Sequence, residues 1–120
     1  MSRPLVVKLT AGADAPERAV QGLTVAATAV ASGLAVSLWL TGESAWFATA
    51  GGTDAVTLEH SAPPAELMAA VIAGGKVTLC TQCAARRGLT EEQLLEGITI
   101  AGAATFVSEV TAPDAQALIY

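Results

Sequence analysis

A chain of 120 residues with a net charge of −5 has the length of one domain, roughly 100–150 residues. It lacks the basic surplus of a general nucleic-acid binder. Hydrophobic residues make up 52% of it and charged residues 14%, so the surface is expected to be poor in charge and partly used as a subunit interface.

The N-terminal Met1-Ser2-Arg3-Pro4 has no signal-peptide layout, and the expected location is the cytoplasm. Leu5-Val6-Val7-Lys8-Leu9-Thr10 is a run rich in branched residues that predicts a strand, closed by the loop Ala11-Gly12-Ala13. Asp14 stands three residues before Glu17, with Pro16 in the first turn, and predicts a helix running to about Ser32 with Gly33 as its stop. Between Arg18 and Glu43 no residue is charged, a stretch long enough to span a bilayer. Gln21, Thr24, Thr28 and Ser32, however, recur at helical spacing as a polar stripe. A helix, a turn at Gly33 and a strand over Leu34–Leu40 account for the stretch better than a membrane span.

Thr41-Gly42 opens a short helical piece carrying Trp46 and Phe47, and Thr49 to about Ala62 reads as loop. Ser61 before Pro63-Pro64 starts another helix, which Gly74-Gly75 ends. Lys76–Leu79 is a third strand with Cys80 at its carboxyl end, and Thr81 to Arg87 is helical, stopped by Gly88. Thr90 and Gln93 form a capping-box pattern for a short helix. Ile98–Ile100 is a fourth strand, Ala103–Val110 a helix and Ala117–Tyr120 a last strand.

Strands alternating with helices, without hairpin signals, predict a three-layer α/β/α sandwich around a mostly parallel sheet of about five strands, one domain over residues 1–120. The working crevice of such a sheet lies beyond the carboxyl ends of its strands. The loop after the first strand, the turn after the second and Cys80 all fall on that edge.

Cys80, where a strand hands over to a helix, is placed to meet unpaired backbone N–H groups that favour a thiolate. Between Glu66 and Glu91 there is no acid, while Lys76, Arg86 and Arg87 supply three of the six basic residues. The same position also suits a small buried hydrophobe, though the local features favour the reactive reading. Cys83 follows one helical turn later, where the two thiols can meet. Two cysteines are too few and too close for a disulfide framework, and read as a thiol pair in a reducing compartment. One C-x-x-C supplies two of the four ligands of a structural zinc, so no metal site is expected within one chain. His60, the single histidine, lies in a loop. Trp46 and Phe47 can cover the crevice or pack as core, and Gly12 can approach an anion without completing a phosphate-binding fingerprint.

The order of elements and the segment Leu79-Cys80, continuing to Ala85-Arg86-Arg87-Gly88-Leu89, resemble the DsrE/DsrF-like family of sulfur-relay proteins. Leu95–Gly102, followed by an alanine-rich helix and a short terminal strand, is similar as well. The resemblance covers essentially the whole chain, with the loop from Thr49 to Ala62 least comparable. It implies that Cys80 accepts sulfane sulfur as a persulfide, and that the partner is a sulfur donor or acceptor protein. It also implies a homo-oligomer. Cys83 lies outside the sulfur-relay pattern.

Two readings follow, with a third beside them. In the first, the protein is a sulfur carrier or sulfurtransferase that needs no organic cofactor, with Cys80 and Cys83 catalytic and Gly12, Trp46, Arg86 and Arg87 lining the substrate site. In the second, it is a redox or small-ligand module cycling Cys80 and Cys83 between dithiol and disulfide. The third is an oligomeric subunit with an inert cysteine.

Overall fold

The computed structural model describes residues 3–120. Its strands are β1 (Pro4–Leu9), β2 (Ala35–Leu40), β3 (Lys76–Cys80), β4 (Ile98–Ala101) and β5 (Gln116–Ile119). Four α-helices connect them: α1 (Pro16–Ala31), α2 (Pro64–Gly74), α3 (Thr81–Arg86) and α4 (Ala103–Val110). Two 3-10 segments, Gly42–Ala48 and Glu91–Gln93, complete the order. The charge-free stretch thus divides into helix, turn and strand, and among the described residues no helix is long and apolar enough to cross a membrane.

The five strands form one sheet in the order β4-β3-β2-β1-β5, and every pairing is parallel. Parallel neighbours require crossovers, and crossovers are right-handed. The steps from β1 to β2 to β3 move one way across the sheet and place α1 and α2 on one face. The step from β4 back to β5 moves the other way and places α4 on the opposite face. This is the three-layer sandwich expected of the alternating pattern.

Strand alternation sorts the side chains between the faces. Val7, Leu9, Val36, Leu38, Leu40, Val77 and Leu79 pack with Leu23 and Ala26 of α1 and Met68 and Val71 of α2 in the main core. Each large aliphatic side chain buried there contributes about 1.5–3 kcal/mol relative to exposure. The opposite face is thinner. Trp39 meets Phe106 of α4 edge-on at 5.4 Å and 84°, yet no residue of α4 is fully buried and every residue of β5 is exposed.

Glu109 fastens α4 to the sheet. Ser37 Oγ and Trp39 Nε1 donate to its Oε1 at 2.6 and 3.0 Å, and Lys76 Nζ donates to its Oε2 at 3.1 Å. Burial pushes the Glu109 carboxyl up, but these three donors and the lysine charge outweigh it and hold the carboxyl below the usual glutamate range.

The start of α1 differs from the sequence pattern. Ala15 precedes the helix without a side-chain cap, because Asp14 Oδ1 accepts instead from the N–H of Gly12 at 2.8 Å. A short acidic side chain that binds a backbone group within its own loop is unavailable to the helix. Thr90 and Gln93 do form the expected capping box, around a single 3-10 turn.

Candidate functional site at Cys80

Cys80 ends β3 on the face that carries α4, two residues beyond Thr78 on the same side of the strand. The chain turns directly into α3 there, with Cys80 at the helix entry. The sulfur lies in a pocket of about 390 Å³ at the carboxyl ends of β1, β2 and β3. Lys8, Thr10, Trp39, Thr41, Gly42, Gln82, Cys83, Arg86, Ala103 and Phe106 form the rest of its wall. The chain leaves β3 for α3 on the main-core face and β4 for α4 on the opposite face, which opens a crevice at this edge.

The surroundings favour thiolate. Burial of the Cys80 sulfur pushes its thiol up. Hydrogen bonds from the Cys83 N–H, the Cys83 thiol and the Gln82 N–H, with the positive charge of Lys8, outweigh that cost and leave the thiol below the ordinary cysteine range. Cys83 is itself buried, and its Sγ accepts from the N–H of Gly42 at 3.2 Å. Gly42, Cys83 and Cys80 thus line one pocket, with the Cys83 sulfur tied to the Gly42 backbone. Gly42 has φ +54, and a Cβ there would meet the Thr10 carbonyl oxygen at 2.7 Å, so glycine is what lets this turn approach the sulfurs. The arrangement supplies a nucleophilic sulfur with a second thiol alongside.

The residues singled out in the sequence divide into two groups. Cys80, Cys83 and Arg86 share the pocket. Arg87 is drawn away: Nε and Nη2 donate to Glu43 Oε2 at 3.1 and 2.8 Å, and Nη1 donates to the Cys83 carbonyl. Lys76 is occupied by Glu109. Gly12 lies outside the pocket, its N–H committed to Asp14 and its α-carbon packed against Glu43, where a Cβ would meet the carbonyl oxygen at 2.5 Å. Trp46 is 40% exposed and is not among the pocket residues, while Phe47 is core. His60, at φ +60, borders a separate groove with Glu17, Gln21 and Tyr120.

Lys8, Trp39 and Phe106 escaped the sequence reading. Lys8 carried a signal, being the one charged position in an otherwise apolar strand. Its register opposite Trp39 puts both on the pocket face, and its Nζ lies 5.2 Å from the centre of the Phe106 ring. Among the described residues no group of three or more His, Cys, Asp or Glu side chains is placed to hold a metal ion.

Comparison with known proteins agrees with the architecture. The YchN protein of E. coli superposes with a TM-score of 0.80 at 19% identity, over 100% of both chains. A protein of unknown function from Methanobacterium thermoautotrophicum gives 0.64 at 12% identity, over 99% of this chain and 100% of the other. These likenesses carry the fold alone. No curated protein sequence matches the chain. The model of the DsrE/DsrF-like family matches residues 5–115, nearly the whole sheet together with Cys80 and Cys83, and the chain belongs to that family.

Proposed function

We propose that the protein carries sulfane sulfur as a persulfide on Cys80, receiving it from a donor and yielding it to an acceptor thiol, and that a partner protein supplies or takes the sulfur. The observation that carries this reading is a partly exposed cysteine at the handover from β3 to α3, in a pocket it shares with Cys83, Lys8 and Arg86. Membership of a family associated with sulfur relay supports it. In the loading step the Cys80 thiolate attacks the outer sulfur of a persulfide R–S–SH. The new Cys80–S bond forms, the S–S bond of the donor breaks, and the proton passes to the departing thiolate R–S⁻ to give R–SH and Cys80–S–S⁻. No electrons are gained or lost overall, and no organic cofactor is required.

Cys83 is the resolving thiol in this proposal. Its attack on the Cys80 sulfur of Cys80–S–SH forms a Cys80–Cys83 disulfide and expels sulfide, the thiol proton balancing the charge. A second reading rests on the same pair: exchange with an external disulfide oxidises both thiols and reduces that disulfide to two thiols. The exposed Val107, Leu118 and Ile119, on α4 and β5, together with the thin layer above that face, support assembly into a homo-oligomer.

Intact-protein mass spectrometry after treatment with a sulfane-sulfur donor tests the proposal. Wild type and Cys83→Ser are expected to gain the mass of sulfur, with longer persistence in Cys83→Ser, and Cys80→Ser to gain none. Loss of two hydrogens in wild type, with no sulfur added to Cys83→Ser under the same treatment, assigns the protein to thiol–disulfide exchange instead.

A further inference from the structure

We infer that Lys8 is the charge-selecting residue of the Cys80 pocket, positioning an anionic group beside the reacting sulfur, so that the site takes donors carrying a carboxylate or sulfonate near the transferable sulfur. The inference deepens the sulfur-carrier reading and concerns its donor.

Among the described residues two cations near the site are paired off, Lys76 with Glu109 at 3.1 Å and Arg87 with Glu43 at 2.8 Å. The cations left on the pocket wall are Lys8 and Arg86, and no carboxylate lines it. A protein of net charge −5 thus keeps one concave, partly enclosed positive site, which concentrates small anions.

The two cations are not equivalent. Arg86 is exposed on α3, at the rim. Lys8 is half-buried and rises from the sheet floor, where its ammonium stands over the Phe106 ring at 5.2 Å. A cation–π contact fixes the head group without neutralising its charge. Of the elements around the pocket, β1 contributes Lys8, α3 contributes Cys83 and Arg86, and β3 contributes Cys80. β2 and α4 present only Trp39, Ala103 and Phe106 there, and the Gly42 turn adds no charge. Glu109, one turn along α4 from Phe106, is held by Ser37, Trp39 and Lys76. The field at Cys80 from a fixed side chain is therefore that of Lys8.

The test compares the rates at which Cys80 reacts with two methanethiosulfonates, one bearing a sulfonate and one a trimethylammonium group, each normalised to a small free thiol. In wild type the anionic reagent is expected to be favoured, and added salt to erode the preference. Lys8→Met should cut the anionic-to-cationic ratio about tenfold, the size of one unit charge several ångströms away at a partly screened site. It should also move the pH midpoint of Cys80 modification upward. Lys8→Arg should restore both, and Arg86→Ala should change the ratio by no more than about twofold, as befits an exposed charge.

A ratio unchanged in Lys8→Met, or a larger loss in Arg86→Ala, overturns the assignment. A salt-independent ratio in wild type does the same without any variant. The donor reading is separable: charge selection without sulfur uptake keeps the Lys8 assignment and removes the carrier function. Uptake without charge selection does the reverse.

Discussion

Removal of the Glu109 carboxylate is the most informative structural perturbation, because α4 has no fully buried residue and yet forms one wall of the Cys80 pocket through Ala103 and Phe106. Its hold on the sheet rests on the Trp39–Phe106 contact and on the three donors that converge on Glu109. Lys76 is 57% exposed on its side chain, so its pairing contributes no more than about 0.5 kcal/mol. The Ser37 and Trp39 donors, at 2.6 and 3.0 Å from a partly buried carboxylate, make charge-assisted bonds. Losing them together costs about 2 kcal/mol. Glu109→Ala should therefore lower the stability measured by urea denaturation by about 2 kcal/mol, and the Tm by about 8 °C for a domain of this size. Glu109→Gln, which keeps an acceptor, should lose about half as much. The carboxyl is held below its ordinary range, so its contribution is complete above the unfolded glutamate pKa of about 4.3. That contribution fades as the pH falls through the lower value in the fold. The gap between wild type and Glu109→Ala should close in acid. A variant as stable as wild type at neutral pH, or a gap that widens as pH falls, refutes the argument.

Three further outcomes follow from the same structure. Alkylation of the single-cysteine proteins should be faster at Cys80 than at buried Cys83, with a pH midpoint for Cys80 below that of a free cysteine, since its thiol is lowered. Rates against pH on Cys80→Ser and Cys83→Ser measure this, and faster modification of Cys83 contradicts it. Gly12→Ala should destabilise by about 1–3 kcal/mol, because the added Cβ meets a backbone oxygen of Glu43 at 2.5 Å, and should leave Cys80 alkylation rates within about twofold of wild type; a large effect on those rates without loss of stability returns Gly12 to the substrate site. Light scattering at micromolar concentration should give the mass of an oligomer, and a monomer mass rejects the interface proposed on α4 and β5.

The fold was legible because its determinants are local. Branched apolar runs mark β1 through β4, the prolines at 16 and 64 mark the first turns of α1 and α2, and the absence of hairpin turns forces crossovers. Placing Cys80 at the end of β3 needs only the strand predicted at Lys76–Leu79 and the helix after it. What stayed hidden depends on distant pairs. Arg87 meets Glu43 across 44 positions and Lys76 meets Glu109 across 33. A count of basic residues beside Cys80 therefore overstated the local positive charge and gave Arg87 to the pocket. Lys8 stays hidden for the complementary reason, since it comes to line the same pocket as Cys80 only once β1, β2 and β3 stand side by side in the sheet. The short helical piece opened by Thr41-Gly42 is a 3-10 segment over Gly42–Ala48, with Thr41 and Ser44 forming a capping box at its start and Ala45, Phe47 and Ala48 buried.

In the proposed function the Cys80 thiol is the group that holds sulfur. The most direct test of this is peptide mass spectrometry on Cys83→Ser protein treated with a low-molecular-weight persulfide and then trapped with an alkylating agent. One additional sulfur is expected, retained between the alkyl group and Cys80 and found on no other peptide. A Cys80 peptide carrying the alkyl group alone, under conditions in which the donor persulfides a free thiol, contradicts it.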